Sequence, residues 1–366
     1  MQISCAKEVL LEGLQTVLKT VSTKSVMPIL TGIRLTGKNG EQVELASTDM
    51  ELSLRLTLSG KVEGEGAAVI PGRLLTDIVR SLPPGDVNIE IRDNEGLAEV
   101  KSGGANFKIN CLPAADFPRL PQMPAENVFQ VAAAPLLATI NTVARAASSD
   151  ETRPVLTGIL VKFNKDKLKM VATDSYRLSV RETKASSSLT EKKEIIIPRS
   201  SLEELARLGS GGDDEIKVGI VNGQVLFEVG ATLLASRLIE GQFPNYQQLL
   251  PDESNYEIVL DKEELLEVTR RIGLMAQKNA PLRMKFSDGE LTVSARAPQV
   301  GEASETLAVP FKGEETEIGF NAEFFRDGID SVDEERLILR IISPLKPGLI
   351  KGSSDDFLYL VMPVRL

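Results

Sequence analysis

The chain has 366 residues, a formal net charge of −10, two cysteines and no histidine. Without histidine there is no Ser-His-Asp or Cys-His catalysis, and the commonest metal ligand is missing. Two cysteines cannot build a closed thiolate zinc site, and the lysines after Gly37 and Gly60 lack the surroundings of a phosphate-binding loop, so no metal or cofactor is expected. Cys5 and Cys111 stand apart among apolar neighbours, and no long apolar run or basic-then-apolar leader occurs, so a cytoplasmic protein with reduced thiols is expected. The acidic balance argues against a simple basic nucleic-acid binder, though not against local basic surfaces.

In chain order, Leu10, Leu14, Val17, Leu18 and Val21 fall on one helical stripe, which predicts an amphipathic helix over 7–21. Strands are expected over 29–35, 42–46 and the alternating 51–58. After Pro71, the spacing of Leu74, Leu75, Ile78, Val79 and Leu82 predicts a second helix, closed by Pro83-Pro84-Gly85. Strands over 87–92, 97–101 and 107–111 complete the set. Further helices are expected over 135–147, 200–208, 262–275 and 321–332, each again among strands.

This order recurs because the sequence does. Met27-Pro28-Ile29-Leu30-Thr31-Gly32-Ile33 returns as Arg153-Pro154-Val155-Leu156-Thr157-Gly158-Ile159, and Thr48-Asp49 returns as Thr173-Asp174. Val69-Ile70-Pro71 is answered by Ile196-Ile197-Pro198, and Asp116-Phe117-Pro118 by Gln242-Phe243-Pro244. The offset is about 126 residues, a duplicated domain rather than a solenoid unit of about 20–50 residues. A weaker third copy contains Ala280-Pro281-Leu282-Arg283-Met284 and Ile318-Gly319-Phe320-Asn321. The expected fold is α+β, with three tandem domains at 1–124, 125–252 and 253–366, each two helices on an antiparallel sheet.

Two chemical readings of these landmarks compete. The repeated Thr-Asp pairs supply carboxylates of the kind general acid/base catalysis needs. The same pair at a strand end also closes an Asx-type turn, the commoner use, and duplicated turns need no catalysis. Arg73, Arg80, Arg145, Arg199 and Arg207 lie on the polar faces of the helices, with Arg73 and Arg80 two turns apart on one side.

Pro28-Ile29-Leu30, Val171-Ala172-Thr173-Asp174 with Tyr176-Arg177-Leu178, Gly241-Gln242-Phe243-Pro244-Asn245-Tyr246 and the terminal Tyr359-Leu360-Val361-Met362-Pro363-Val364-Arg365-Leu366 together resemble the bacterial sliding clamps, the beta subunits of DNA polymerase III. The similarity runs from Met1 to Leu366. It implies a non-catalytic processivity factor: two three-domain chains closing head to tail as a homodimeric six-domain ring, helices inward, around double-stranded DNA. Twelve helices about 10 Å apart give a bore of roughly 28 Å, wide enough for a hydrated duplex. The resemblance also implies a clamp loader, the replicative polymerase and other motif-bearing proteins as partners. A specialised, drug-insensitive paralogue is the alternative within the family.

Carried over by position, the resemblance assigns a partner-peptide pocket to Leu156, Thr173, Tyr176, Arg177, Leu178, Pro244, Gln248, Leu249, Leu360, Met362 and Pro363. Arg177 is expected to receive a peptide carbonyl. Gln248 stands where well-known clamps carry arginine, and the 343–348 segment is unusually proline-rich, so peptide preference is expected to differ. The resemblance adds Lys24 and Ser149 to the DNA-facing arginines, with Asp150 as a turn residue. It sets Phe107 and Ile109, on an edge strand, against Gly273 and Leu274 of a second copy.

Overall fold

The computed structural model describes residues 1–22, 26–37, 40–187, 192–209, 215–250, 254–276, 280–298 and 300–366. Antiparallel pairing runs through all three sheets, and six helices of nine residues or more accompany the strands. The same plan is laid down three times. A strand leads directly into a helix at Gln2–Ala6 and Lys7–Val17, at Val128–Ala132 and Ala133–Ala144, and at Tyr256–Asp261 and Lys262–Gly273. A later strand leads into the second helix at Gly66–Pro71 and Gly72–Ser81, at Lys193–Pro198 and Arg199–Leu208, and at Thr316–Phe320 and Ala322–Asp330.

Apolar spacing accounts for the helices. Leu10, Leu14 and Val17 are buried along one face of the first, and Leu75, Ile78 and Val79 along the second. The first helix stops earlier than the periodicity suggests: Leu18–Thr20 tightens into a 3-10 turn, and the ammonium of Lys7 is given to the carbonyl of Leu82 beyond the second helix. Lys262 repeats this arrangement, donating to the carbonyl of Val332. A cation placed there complements the carbonyl end of a helix.

The repeated Pro-x-Leu-Thr-Gly phrase does not open a strand, as the 29–35 expectation had it. Pro28–Thr31 forms a 3-10 turn and Pro154–Thr157 one helical turn, and each threonine hydroxyl donates back to its proline carbonyl, at 2.7 and 2.8 Å. The strand begins at the glycine, where Gly32 pairs with Pro71 and Gly158 with Pro198. A Cβ on Gly32 would lie 2.3 Å from Val69 Cγ1, and one on Gly158 would lie 2.5 Å from Ile196 Cγ2. Only a residue without a side chain lets these strands approach so closely. The third copy has no such glycine, Pro281-Leu282-Arg283 standing there, and its strand spans Leu282–Ser287.

The chain divides into two compact units, one chiefly Met1–Ala133 with Arg207–Leu238 and the other chiefly Ala134–Ser186 with Ile239–Leu366. The middle repeat supplies strands to both. In the first unit its last strand, Thr232–Arg237, pairs with Leu52–Glu63, a strand that also pairs with Gly40–Thr48 and Gln2–Ala6. In the second unit, Arg177–Lys184 of the middle repeat pairs with Phe357–Val361, the last strand of the third. One rule describes both joints: the strand after the Thr-Asp turn, or its equivalent, takes the final strand of the next repeat. Two strands of these kinds remain unmatched. Ala105–Asn110 pairs only with Leu97–Ser102, and Gly301–Ala308 only with Glu290–Ala297, among the described residues.

Candidate functional site

The Thr-Asp landmarks are turns. In the first copy, the Asp49 carboxylate accepts from the amides of Glu51 and Leu52 at 3.0 and 2.8 Å, and the Thr48 hydroxyl donates to the carbonyl of Leu52. In the second, Asp174 accepts from Tyr176 and Arg177, both at 2.9 Å, and Thr173 donates to the carbonyl of Arg177. Met50 and Ser175 take the same left-handed conformation, φ 80 and 79. Both carboxylates are thus spent on closing an Asx turn that feeds a strand.

The copies differ in what the turn presents. The second turn carries Tyr176, 63% exposed, and its strand lies against Phe357–Val361, with Arg177 opposite Val361 and Leu178 opposite Leu360. The amide of Met362 donates to the carbonyl of Tyr176 at 2.8 Å, which holds these two residues side by side. Beneath them Leu178, Leu360, Leu160, Val171, Ile196, Leu349 and Tyr246 form one apolar cluster, with Phe243 and Leu250 packed against it. Phe243 carries the exposed Pro244, and the 3-10 turn Tyr246–Leu249 raises Gln248 and Leu249, the latter 47% exposed. Met362 is 37% exposed and Pro363 half-buried. Exposed apolar side chains therefore stand on a floor that includes Leu178 and Leu360, with Leu156 and Thr173 also buried.

Arg177 departs from expectation. Rather than lying open to a carbonyl, its side chain is only 10% exposed, donates to Asp174 at 3.0 Å and to Asp327, and lies 4.2 Å from the Phe324 ring centroid. Burial disfavours its charge, but Tyr359 and the two aspartates more than offset that and hold its pKa above the ordinary value. Tyr359, buried and donating to the carbonyl of Phe324 at 3.0 Å, has its phenol pushed up by burial. Phe324 and Asp327 were absent from the sequence reading, and Tyr359 entered it only within the terminal motif, with no role of its own. The available signal was the spacing of Asp327, Asp330 and Asp333, three residues apart.

Among the DNA-facing candidates, Lys24 lies outside the described residues. Arg73, Arg80 and Arg207 are exposed and Arg145 and Arg199 half-buried. Arg80 pairs with Asp77 at 2.6 Å, Arg199 with Glu203 at 2.6 Å, and Arg145 with Asp330. Ser149 is exposed. Asp150 closes an Asx turn, its carboxyl held below the usual range first by Thr152, which donates from hydroxyl and amide, and then by Arg153. Of the interface candidates, Leu274 is 82% exposed and Phe107 half-buried, whereas Ile109 is 4% exposed and packed within its own unit. Both thiols are free, and burial pushes the Cys111 thiol up to about 11. No described helix is long and apolar enough to cross a membrane.

Fold and surface are those of a repeat-built binding protein, three copies of one unit of which the second presents apolar side chains at its joint with the third. Comparison with known proteins places that class. Models of the N-terminal, central and C-terminal domains of the DNA polymerase III beta subunit match residues 1–121, 130–245 and 247–365. The beta sliding clamp of Streptomyces coelicolor is 32% identical over 100% of both chains. The solved DNA polymerase sliding clamp of Bacillus subtilis superposes with TM-score 0.95 at 29% identity, covering 100% of this chain and 99% of that one. A Pseudomonas aeruginosa sliding clamp bound to griselimycin gives 0.94 at 30% identity, covering 100% of each. The chain belongs to the DNA polymerase III beta subunit family, the bacterial sliding clamps.

Proposed function

We propose that the chain is a processivity factor of chromosomal replication: a homodimeric ring that encircles duplex DNA in the cytoplasm, slides along it and tethers the replicative polymerase, the clamp loader and other partners through a peptide seat. Its three domains span 1–124, 125–252 and 253–366, and any catalysis belongs to the proteins it holds. The observation that carries the reading is the apolar surface of Tyr176, Leu249 and Met362 on the Leu178–Leu360 floor. Such a surface suits a short peptide with Leu or Phe anchors, and an adaptable methionine at its edge accommodates more than one.

The joints supply support for the dimer. If the rule linking successive repeats holds between chains, Gly301–Ala308 of one copy takes Ala105–Asn110 of the next, covering two edges that are otherwise open to aggregation. That contact is heterologous, and closure after two copies makes a ring. Leu274, exposed just past the Lys262–Gly273 helix, and Phe107 then have a place to be buried.

A clamp must hold DNA without gripping it. Counterion release makes affinity rise with every phosphate contacted, so many free cations would pin the ring. Arg80, Arg145 and Arg199 each share their charge with a carboxylate, which leaves weak, sequence-independent attraction and gives retention to topology. The test is to load the protein on nicked circular DNA and then linearise it. A half-life that collapses on linearisation is expected; equal half-lives on both forms rule the clamp reading out.

A further inference from the structure

The peptide seat is set from behind by a residue of the third repeat. Resting on the reading of Tyr176 and Met362 as that seat, we propose that Asp327 is a positioning residue for partner binding, acting through Arg177 on the Thr173–Arg177 turn. Asp327 lies in the Ala322–Asp330 helix and accepts from Arg177 Nη1, while Arg177 Nε donates to Asp174 Oδ2 at 3.0 Å. The other oxygen of Asp174 takes the amides of Tyr176 and Arg177 at 2.9 Å. One chain of charge-assisted bonds therefore runs from the third repeat's helix to the backbone amide of the most exposed aromatic residue of the seat.

Two further contacts fix the guanidinium on this path. The Phe324 ring stacks on it at 4.2 Å, and Phe324's carbonyl accepts from Tyr359 at 3.0 Å. Asn321 caps the same helix, accepting from the amides of Glu323 and Phe324 at 2.9 and 3.0 Å, so Phe324 and Asp327 sit on a rigid support. A site is held to its working geometry by the shell behind it, and side chains on a helix do this better than loop residues. With Arg177 at 10% exposure, removing one carboxylate leaves it free to swing toward the other and drag the turn.

Asp327 is one of three aspartates on this side of the third repeat. Asp330 pairs with Arg145 and Asp333 with Arg181, both arginines of the second repeat. Those two pairs tie the repeats together without touching the turn, which makes them internal controls. A purely structural role for Asp327 is shared with Asp330 and Asp333, whereas a positioning role is its own.

Binding of a fluorescein-labelled decapeptide carrying Leu and Phe anchors, followed by anisotropy on the intact protein alongside thermal melting, separates these. Asp327→Asn is expected to weaken the peptide about tenfold, the equivalent of one modest charged hydrogen bond, while melting like Asp330→Asn and Asp333→Asn, which bind as wild type. Asp327→Glu recovers most of the affinity. Arg177→Lys, which keeps the charge but cannot bridge two carboxylates, weakens binding as Asp327→Asn does, and the double variant is no weaker than either single one. Equal weakening by all three aspartate variants, or wild-type binding by Asp327→Asn, overturns the proposal. If Met362→Ala and Tyr176→Ala leave binding intact, the seat itself is misplaced, a failure distinct from a seat that responds to those two but not to Asp327.

Discussion

The backbone amide of Met362 donates to the carbonyl of Tyr176 at 2.8 Å, continuing by one bond the ladder in which Arg177 faces Val361 and Leu178 faces Leu360. A residue four places from the C-terminal Leu366 and one from the middle repeat are thereby fixed as neighbours, both partly apolar and both exposed. Tyr176→Ala and Met362→Ala are each expected to cost about 1–2 kcal/mol of peptide affinity, the range of residues at the centre of an interface. Melting temperature should barely move, because neither side chain is buried. Titration calorimetry of the two variants against an anchor peptide checks this, and unchanged affinity in both moves the seat elsewhere.

Crowding at the repeated glycines makes a second expectation. Gly32→Ala and Gly158→Ala should each destabilise the fold by about 1–3 kcal/mol, the cost of forcing an added carbon into a packed region, because the nearest atoms are Val69 Cγ1 at 2.3 Å and Ile196 Cγ2 at 2.5 Å. Gly104 has nothing within 4 Å of an added Cβ. Gly104→Ala is the control, expected to melt as wild type in denaturant or heat.

Replacing an apolar residue at a chain-to-chain joint by a charge should leave single copies. Phe107→Asp and Leu274→Asp are both expected to sediment at the monomer mass at micromolar concentration with unchanged far-ultraviolet dichroism, since a charge buried without a partner costs several-fold more than the contact it replaces. An unaltered dimer mass for both variants excludes these residues from the interface.

The thiols give a pH expectation with a definite sign. Cys111 sits at about 11, against an ordinary 9.0, because burial disfavours the thiolate and Asp93 adds to this. The folded state thus keeps its proton more tightly than the unfolded chain. That contribution to stability is complete below about pH 9, and it is lost as pH climbs through about 11. Cys5 is shifted the same way, first by burial and then by Asp86. Iodoacetamide should therefore label the native protein far more slowly than the denatured protein at pH 8, with the Cys111 rate rising toward pH 11. Equal rates in both states contradict the burial argument.

Much of this was written in the sequence, and the reasons for what was not are specific. The repeat of the first domain in the second was legible because crowding requires Gly32 and Gly158, and because the Asx turns need Thr48-Asp49 and Thr173-Asp174; the third copy, which lacks that glycine, was fainter. Apolar periodicity located the helices, since burial of Leu10, Leu14 and Val17 fixes a spacing. It overran the first helix end because Leu18 and Val21 stay on the apolar stripe after the backbone tightens at Leu18–Thr20. The exposed members of the seat came from the family resemblance. What Arg177 does was not legible, because its partner Asp327 lies 150 residues away. Ion pairing at that separation leaves no periodic trace, and only the spacing of three aspartates hinted at it. The division of the middle repeat's strands between two compact units was equally hidden, since pairing partners are chosen by register and not by local pattern.

Leu52–Glu63 answers to three strands at once, Gly40–Thr48 along one side and Gln2–Ala6 and Thr232–Arg237 along the other. Inserting a single residue near its middle turns side chains inside out against partners drawn from two repeats, and no single compensating change can realign them all. The copies are therefore not free to drift as separate genes fused end to end would be. Indels are tolerated in the turns and refused in the shared strand, so that length variation among relatives should fall silent there while residue identity continues to wander.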